Sequence, residues 1–123
     1  MRVSGIIAQL RTTDLAGSIA FYTGKLGMTL TFQYQDFYAG IQTDGQHFHL
    51  KRVDNPDPSL AFVQQGQHFH LYFETLDIEA AADLVTRNGV PMLDDLHDTP
   101  WGTREFVIQD DQEHVLYFGQ VRS

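Results

Sequence analysis

Asp14-Leu15-Ala16-Gly17-Ser18-Ile19-Ala20-Phe21-Tyr22-Thr23-Gly24-Lys25-Leu26-Gly27 opens on a residue suited to accept hydrogen bonds from free helix N–H groups and closes on one that tolerates positive φ. It therefore reads as one short helix with its own start and stop. Leu15, Ile19, Phe21, Tyr22 and Leu26 give that helix an apolar stripe to bury. The same signals return at Asp77 and Gly89, with Ile78, Ala81, Ala82 and Val85 as the stripe between them. The aspartates lie 63 positions apart and the glycines 62, so one supersecondary unit occurs twice.

Outward from each helix the chain alternates as strands do. The reading places strands at residues 3–11, 28–35, 37–43 and 46–53, the last two joined by the Asp44-Gly45 turn. Pro56 and Pro58 then forbid a strand through residues 54–59. After this break come strands at residues 67–74, 90–93, 103–109 and 114–120. The expected architecture is α+β: two βαβββ modules, residues 1–53 and 67–123, joined by a linker at 54–66 within one domain, each sheet carrying its helix on one face and leaving the other free.

Composition narrows the function. In 123 residues, 42% hydrophobic and 12% aromatic, there is room for one real core. Sixteen acidic against eight basic residues give a formal charge of −8, which disfavours nucleic acid as a partner and favours cationic ligands through steering, solubility being the plainer use of the same charge. No cysteine is present, which removes disulfides and thiolate chemistry. No apolar run is long enough for a membrane span, and the first ten residues lack a signal-peptide core, so a cytoplasmic protein is expected.

Gly-Gln-His-Phe-His-Leu occurs at residues 45–50 and again at 66–71. Read as strands, both copies place two histidines on one face, His47 with His49 and His68 with His70, opposite Phe48, Leu50, Phe69 and Leu71. Three uses suit such a face: polar lining of a binding site, ligation of a metal, or a response to pH, since clustered imidazoles gain charge below about pH 6.5.

The stretch from Leu10 through Ser18-Ile19-Ala20-Phe21-Tyr22 to Met28 resembles the opening of the vicinal oxygen chelate superfamily, which includes glyoxalase I, bleomycin and fosfomycin resistance proteins and extradiol dioxygenases. Pro100-Trp101-Gly102-Thr103-Arg104-Glu105-Phe106, with Asp110 and His114 to Gly119, resembles the closing strands of the bleomycin resistance branch. The resemblance implies curved mixed sheets around a cavity, a homodimer, and, in metal-dependent members, one ligand on the first and one on the last strand of each module. Those four positions fall here on Ile7, His49, His70 and Tyr117. Ile7 has no donor atom, and a phenol with an ordinary pKa near 10 is an uncommon ligand. Catalytic sites generally need about three protein ligands.

The resemblance and the charge together imply a small-molecule binding protein, with no cofactor, that sequesters a planar cationic or aromatic compound such as an antibiotic. Trp101, Glu105, His49, His70, Tyr117, His47, His68 and Tyr38 are its expected lining. Trp101 would wall a drug crevice or, alternatively, anchor the end of a sheet. Glu105, on strand parity with Trp101 and Thr103, would meet a cationic group or bridge to Arg104 or Arg11 at the surface. The alternative is a lyase, isomerase or dioxygenase holding Fe, Ni or Zn on His49, His70 and Glu105, or with Glu74 in place of Glu105. A dimer with a structural or regulatory role is the third class. His97 and His114 read as loop and turn residues. The turn Asp110-Asp111-Gln112-Glu113 places glutamate where relatives carry glycine, which predicts a left-handed residue at 113.

Overall fold

The computed structural model describes residues 1–122 and divides into two compact units, residues 1–57 and 58–123. In unit 1, β1 (Ala8–Thr12), helix α1 (Leu15–Ala20), β2 (Thr29–Tyr34), β3 (Tyr38–Thr43) and β4 (Gln46–Arg52) follow in order. The sheet order is β1-β4-β3-β2, with β1 parallel to β4 and the other pairs antiparallel. Unit 2 carries α2 (Leu60–Val63), β5 (Leu71–Glu74), α3 (Ile78–Arg87), β6 (Met92–Asp98), β7 (Thr103–Gln109) and β8 (Val115–Val121). Its order, β5-β8-β7-β6, repeats that of unit 1 with the same directions. The fold is α+β, built from two βαβββ modules with mixed sheets.

The duplication extends to atomic detail. Asp14 accepts a hydrogen bond from the Gly17 N–H at 3.0 Å and Asp77 from the Ala80 N–H at 3.1 Å. Their backbones agree within a few degrees, φ −142° and ψ 89° against φ −145° and ψ 82°. Two residues earlier, Thr12 and Thr75 each accept the aspartate's own N–H. Gly27 and Gly89 adopt φ of 69° and 77°, the left-handed stop that the sequence implies. The first helix continues as one wider π-type turn, Phe21–Lys25, which keeps Tyr22 fully buried against Phe48.

Each sheet buries its helix-side face. Leu15, Tyr22, Ile41, Phe48 and Leu50 form that layer in unit 1, and Ile78, Val85, Phe106, Ile108, Leu116 and Phe118 in unit 2, where Phe106 and Phe118 stack at 5.0 Å.

Three expectations are corrected. The second hexapeptide is not a strand: β5 starts only at Leu71, and His68 takes φ of 71°. A left-handed residue breaks the alternation that would have put His68 and His70 on one face. The segment 54–66 is not all linker, because Leu60 and Val63 of α2 are buried. His97 is not a loop residue but lies in β6, which runs from Met92 to Asp98 rather than 90–93. Glu113 adopts the expected left-handed conformation, φ 69°.

Candidate functional site

The chemistry-bearing residues lie on the sheet face opposite α1 in unit 1 and opposite α3 in unit 2, where Val63 of α2 packs beside Tyr117. In unit 1, pairing places Gln9 beside His49 and His49 beside Gly40, which in turn faces Phe32. Gly40 is required, since a Cβ there would run into the Phe32 ring and Thr31. Over this gap Phe32 meets His49 edge to face at 5.3 Å and stacks with Tyr38 at 6.1 Å. The Tyr38 hydroxyl hydrogen-bonds His49 Nδ1 at 2.9 Å and accepts from Gln9 Nε2 at 3.0 Å. His47 stands beside Gln42 nearer the β3–β4 turn and is exposed.

Unit 2 builds a different set from the same pairing. Tyr72 lies beside Tyr117, and Glu105 beside Gly119. The Tyr72 and Tyr117 rings stack at 6.3 Å with planes 17° apart, and His70 tilts against Tyr117 at 5.4 Å. Glu105 is buried, and its Oε2 accepts from the Tyr72 hydroxyl at 2.7 Å and from Thr103 Oγ1 at 2.8 Å. Thr99 Oγ1 shares a hydrogen bond with Thr103 Oγ1 at 2.8 Å and fixes that hydroxyl from behind. Partial desolvation of the phenol, and then its bond to Glu105, push the Tyr72 pKa up to about 12. The phenol thus stays a donor to Glu105 over the physiological range.

Among the expected lining residues, Glu105 and Tyr117 share one face of unit 2, with His70 beside Tyr117, while Tyr38 and His49 share one face of unit 1. Trp101 is 71% exposed in the turn before β7, so it is not the core anchor of a sheet end. Nor does Glu105 bridge to Arg104. Arg104 points to the other side of β7 and pairs with Glu79 at 2.8 Å and Asp98 at 3.0 Å. His68 is exposed and accepts the Phe69 N–H on its own Nδ1. Tyr72 and Thr103 are the residues whose role the sequence reading missed. Their strand parity with Glu105 was visible, but their hydrogen bonds depend on register across β5, β8 and β7.

A metal does not fit the residues at the family's ligand positions. Ile7 offers no donor and Tyr117 only a phenol, which leaves two imidazoles, His49 keeping Nε2 beyond its Nδ1 bond to Tyr38. His70 has two buried ring nitrogens without a hydrogen-bond partner. Yet within neither unit do three of the described His, Asp or Glu side chains gather into a ligating group. A concavity of about 270 Å³ walled by Ile78, Glu79, Arg104 and Gln120 lies on the α3 side of the sheet, away from Glu105.

Two mixed four-stranded sheets in this order, each with one capped helix and one polar-aromatic face, define the paired βαβββ class of proteins. The chain belongs to the Glyoxalase/Bleomycin resistance protein/Dioxygenase superfamily, whose family model matches residues 6–118. No curated protein sequence matches it. Its fold is similar to that of the bleomycin-binding protein from bleomycin-producing Streptomyces verticillus, solved in complex with copper(II)-bleomycin: TM-score 0.73, 18% identity, 100% of this chain and 98% of that one covered. TioX from Micromonospora sp. ML1 is similar with TM-score 0.75, 20% identity and 98% of both chains covered. Lactoylglutathione lyase from Agrobacterium tumefaciens gives TM-score 0.70 at 19% identity over 97% of this chain and 95% of that one. At such identities the likeness is one of fold, and it spans both binding and catalytic relatives. No helix among the described residues is long and apolar enough to cross a membrane.

Proposed function

We propose that this protein is a non-catalytic binder that sequesters a planar aromatic cation, and that it works as a homodimer. The observation that carries this reading is Glu105: a buried carboxylate whose described partners are two neutral hydroxyls, set beside the stacked Tyr72 and Tyr117 rings. Burying a carboxylate without an opposite charge is costly, and a cation arriving from solution removes that cost. Aromatic faces next to it attract both a flat ring and a positive charge. The absence of a ligand set at the family's metal positions supports binding over metal-assisted catalysis, and the net charge of −8 favours cationic partners. Trp101, exposed two residues before Thr103, supplies a further stacking surface at the start of β7.

Calorimetric titration with a panel of planar cationic drugs, copper(II)-bleomycin among them, tests the reading. Saturable binding is expected, weakened by Trp101→Ala and abolished by Glu105→Ala. Binding that survives both substitutions unchanged would overturn it.

A further inference from the structure

The two oxygens of Glu105 are not equivalent, and the difference selects among cations. A carboxylate oxygen offers two lone pairs. The hydroxyls of Tyr72 and Thr103 occupy both on Oε2, at 2.7 and 2.8 Å. Oε1 takes no hydrogen bond from a described residue, yet it is not sealed in: among the described residues, the buried side-chain atoms left without a partner are the two ring nitrogens of His70. His97, opposite Glu105 on β6, hydrogen-bonds through its Nδ1 to the Asp95 carbonyl at 2.7 Å, and Arg104 is committed to Glu79 and Asp98 on the other face. An arriving cation therefore meets a carboxylate with one oxygen free.

Guanidinium and amidinium groups grip a carboxylate as a fork, with two parallel N–H donors to two oxygens. With Oε2 filled, half of that fork would lose water and gain nothing. A protonated amine is a compact point charge that one oxygen and nearby ring faces can satisfy. The Tyr72 ring, held over Gly119 and stacked on Tyr117, stands where such a group would also touch π density. We propose that Glu105 Oε1 anchors the protonated amine of an aromatic ligand, and that Tyr72 and Thr103, by filling Oε2, make the site prefer ammonium over guanidinium or amidinium. This rests on the binder reading above and goes further by naming the charged group.

Three probes sharing one ring test it: 2-(1-naphthyl)ethylamine, the corresponding guanidine and the corresponding alcohol, titrated calorimetrically into the full chain. The amine should bind about 10-fold more tightly than the guanidine or the alcohol, one unmet charge-assisted bond being of that order. Glu105→Gln should bring the amine down to the level of the alcohol. The double variant Tyr72→Phe, Thr103→Val frees Oε2 and should bring the guanidine within about 3-fold of the amine. A guanidine equal to or better than the amine in the unaltered protein, a comparison that needs no variant to fold, overturns the selectivity but leaves the binder reading intact. The same holds if planar drugs bind and no naphthyl probe does. If neither drugs nor probes bind, both readings fall.

Discussion

Replacing Gly119 with alanine should detach Tyr72 from Glu105 without touching either residue. A Cβ on Gly119 would occupy the space of the Tyr72 hydroxyl and its ring carbon. Gly119 is not among the positive-φ positions, so its backbone accepts an L residue and the whole conflict lies with the phenol. That ring is the far end of a rotatable side chain, and rotation outward relieves the clash. The cost is the Tyr72–Glu105 hydrogen bond, worth about 1 kcal/mol after discounting for a residue that is 47% exposed, and the Tyr117 stack, worth about 0.5–1 kcal/mol. Alanine in place of glycine in a strand returns about 0.5–1 kcal/mol. The net loss is then about 1 kcal/mol, or about 3–5 °C in Tm for a chain of 123 residues. In a Tyr72→Ala background the same change should instead stabilise by about 0.5–1 kcal/mol, a coupling near 2 kcal/mol in a double-mutant cycle read by urea unfolding. Absorbance titration of the tyrosines adds an independent readout, because the Tyr72 phenol, raised to about 12 in the unaltered chain, should ionise well below that once detached. Equal cost for Gly119→Ala in both backgrounds would refute the packing argument.

Alkaline stability follows from the same phenol. The folded pKa is raised above the unfolded value of 10.0, so the contribution of Tyr72 is complete below pH 10 and is lost as pH rises toward about 12. Denaturation midpoints followed across that window should fall less steeply in Tyr72→Phe than in the unaltered chain. The duplicated caps give a matched pair: Asp14→Ala and Asp77→Ala should each cost about 1 kcal/mol by thermal unfolding, and asparagine at either position should recover most of it. Glu113→Gly should raise stability by up to about 1 kcal/mol by relieving a left-handed glutamate, since its bond to Gln64 is at the surface. Asp110→Ala should cost about 2–4 kcal/mol, because the buried carboxylate accepts the Gln112 and His114 N–H groups and His114 Nδ1.

The repeated aspartates and glycines made the fold legible, since a cap and a stop are local chemistry written in single residues. Strand parity made the shared face of Glu105 and Tyr117 legible as well. The second hexapeptide failed for the opposite reason. Identical letters at 45–50 and 66–71 fold differently because the first lies between two strands that pair with it, whereas the second follows the turn after α2 and leaves it through a left-handed His68. Edge context, not composition, decides such a segment. The hydroxyl grip on Glu105 was out of reach for a similar reason: it joins β5 to β7 across β8, and register over three strands is a tertiary property.

The two modules share a scaffold and differ in charge, and this difference bears on where ligand chemistry arises. Gln9 and Tyr72 are 63 positions apart and hold the same place beside the last strand of their modules, next to His49 and Tyr117. Tyr38 and Glu105 likewise match, opposite Lys51 and Gly119, each two residues beyond that partner. Both modules then form the same diagonal hydrogen bond from the first strand across the last to the third, Gln9 to Tyr38 at 3.0 Å and Tyr72 to Glu105 at 2.7 Å. In unit 1 the chain continues to His49 Nδ1, which shares a hydrogen bond with the Tyr38 hydroxyl, so no acidic side chain takes part and one imidazole nitrogen is occupied. In unit 2 it ends on a buried carboxylate with one oxygen left over. The geometry of the diagonal is inherited from the duplicated fold, whereas the negative charge is an addition of unit 2 alone. A cation-binding function would therefore be erased by one substitution, Glu105→Gln, that leaves the sheet, its register and its hydroxyl partners in place.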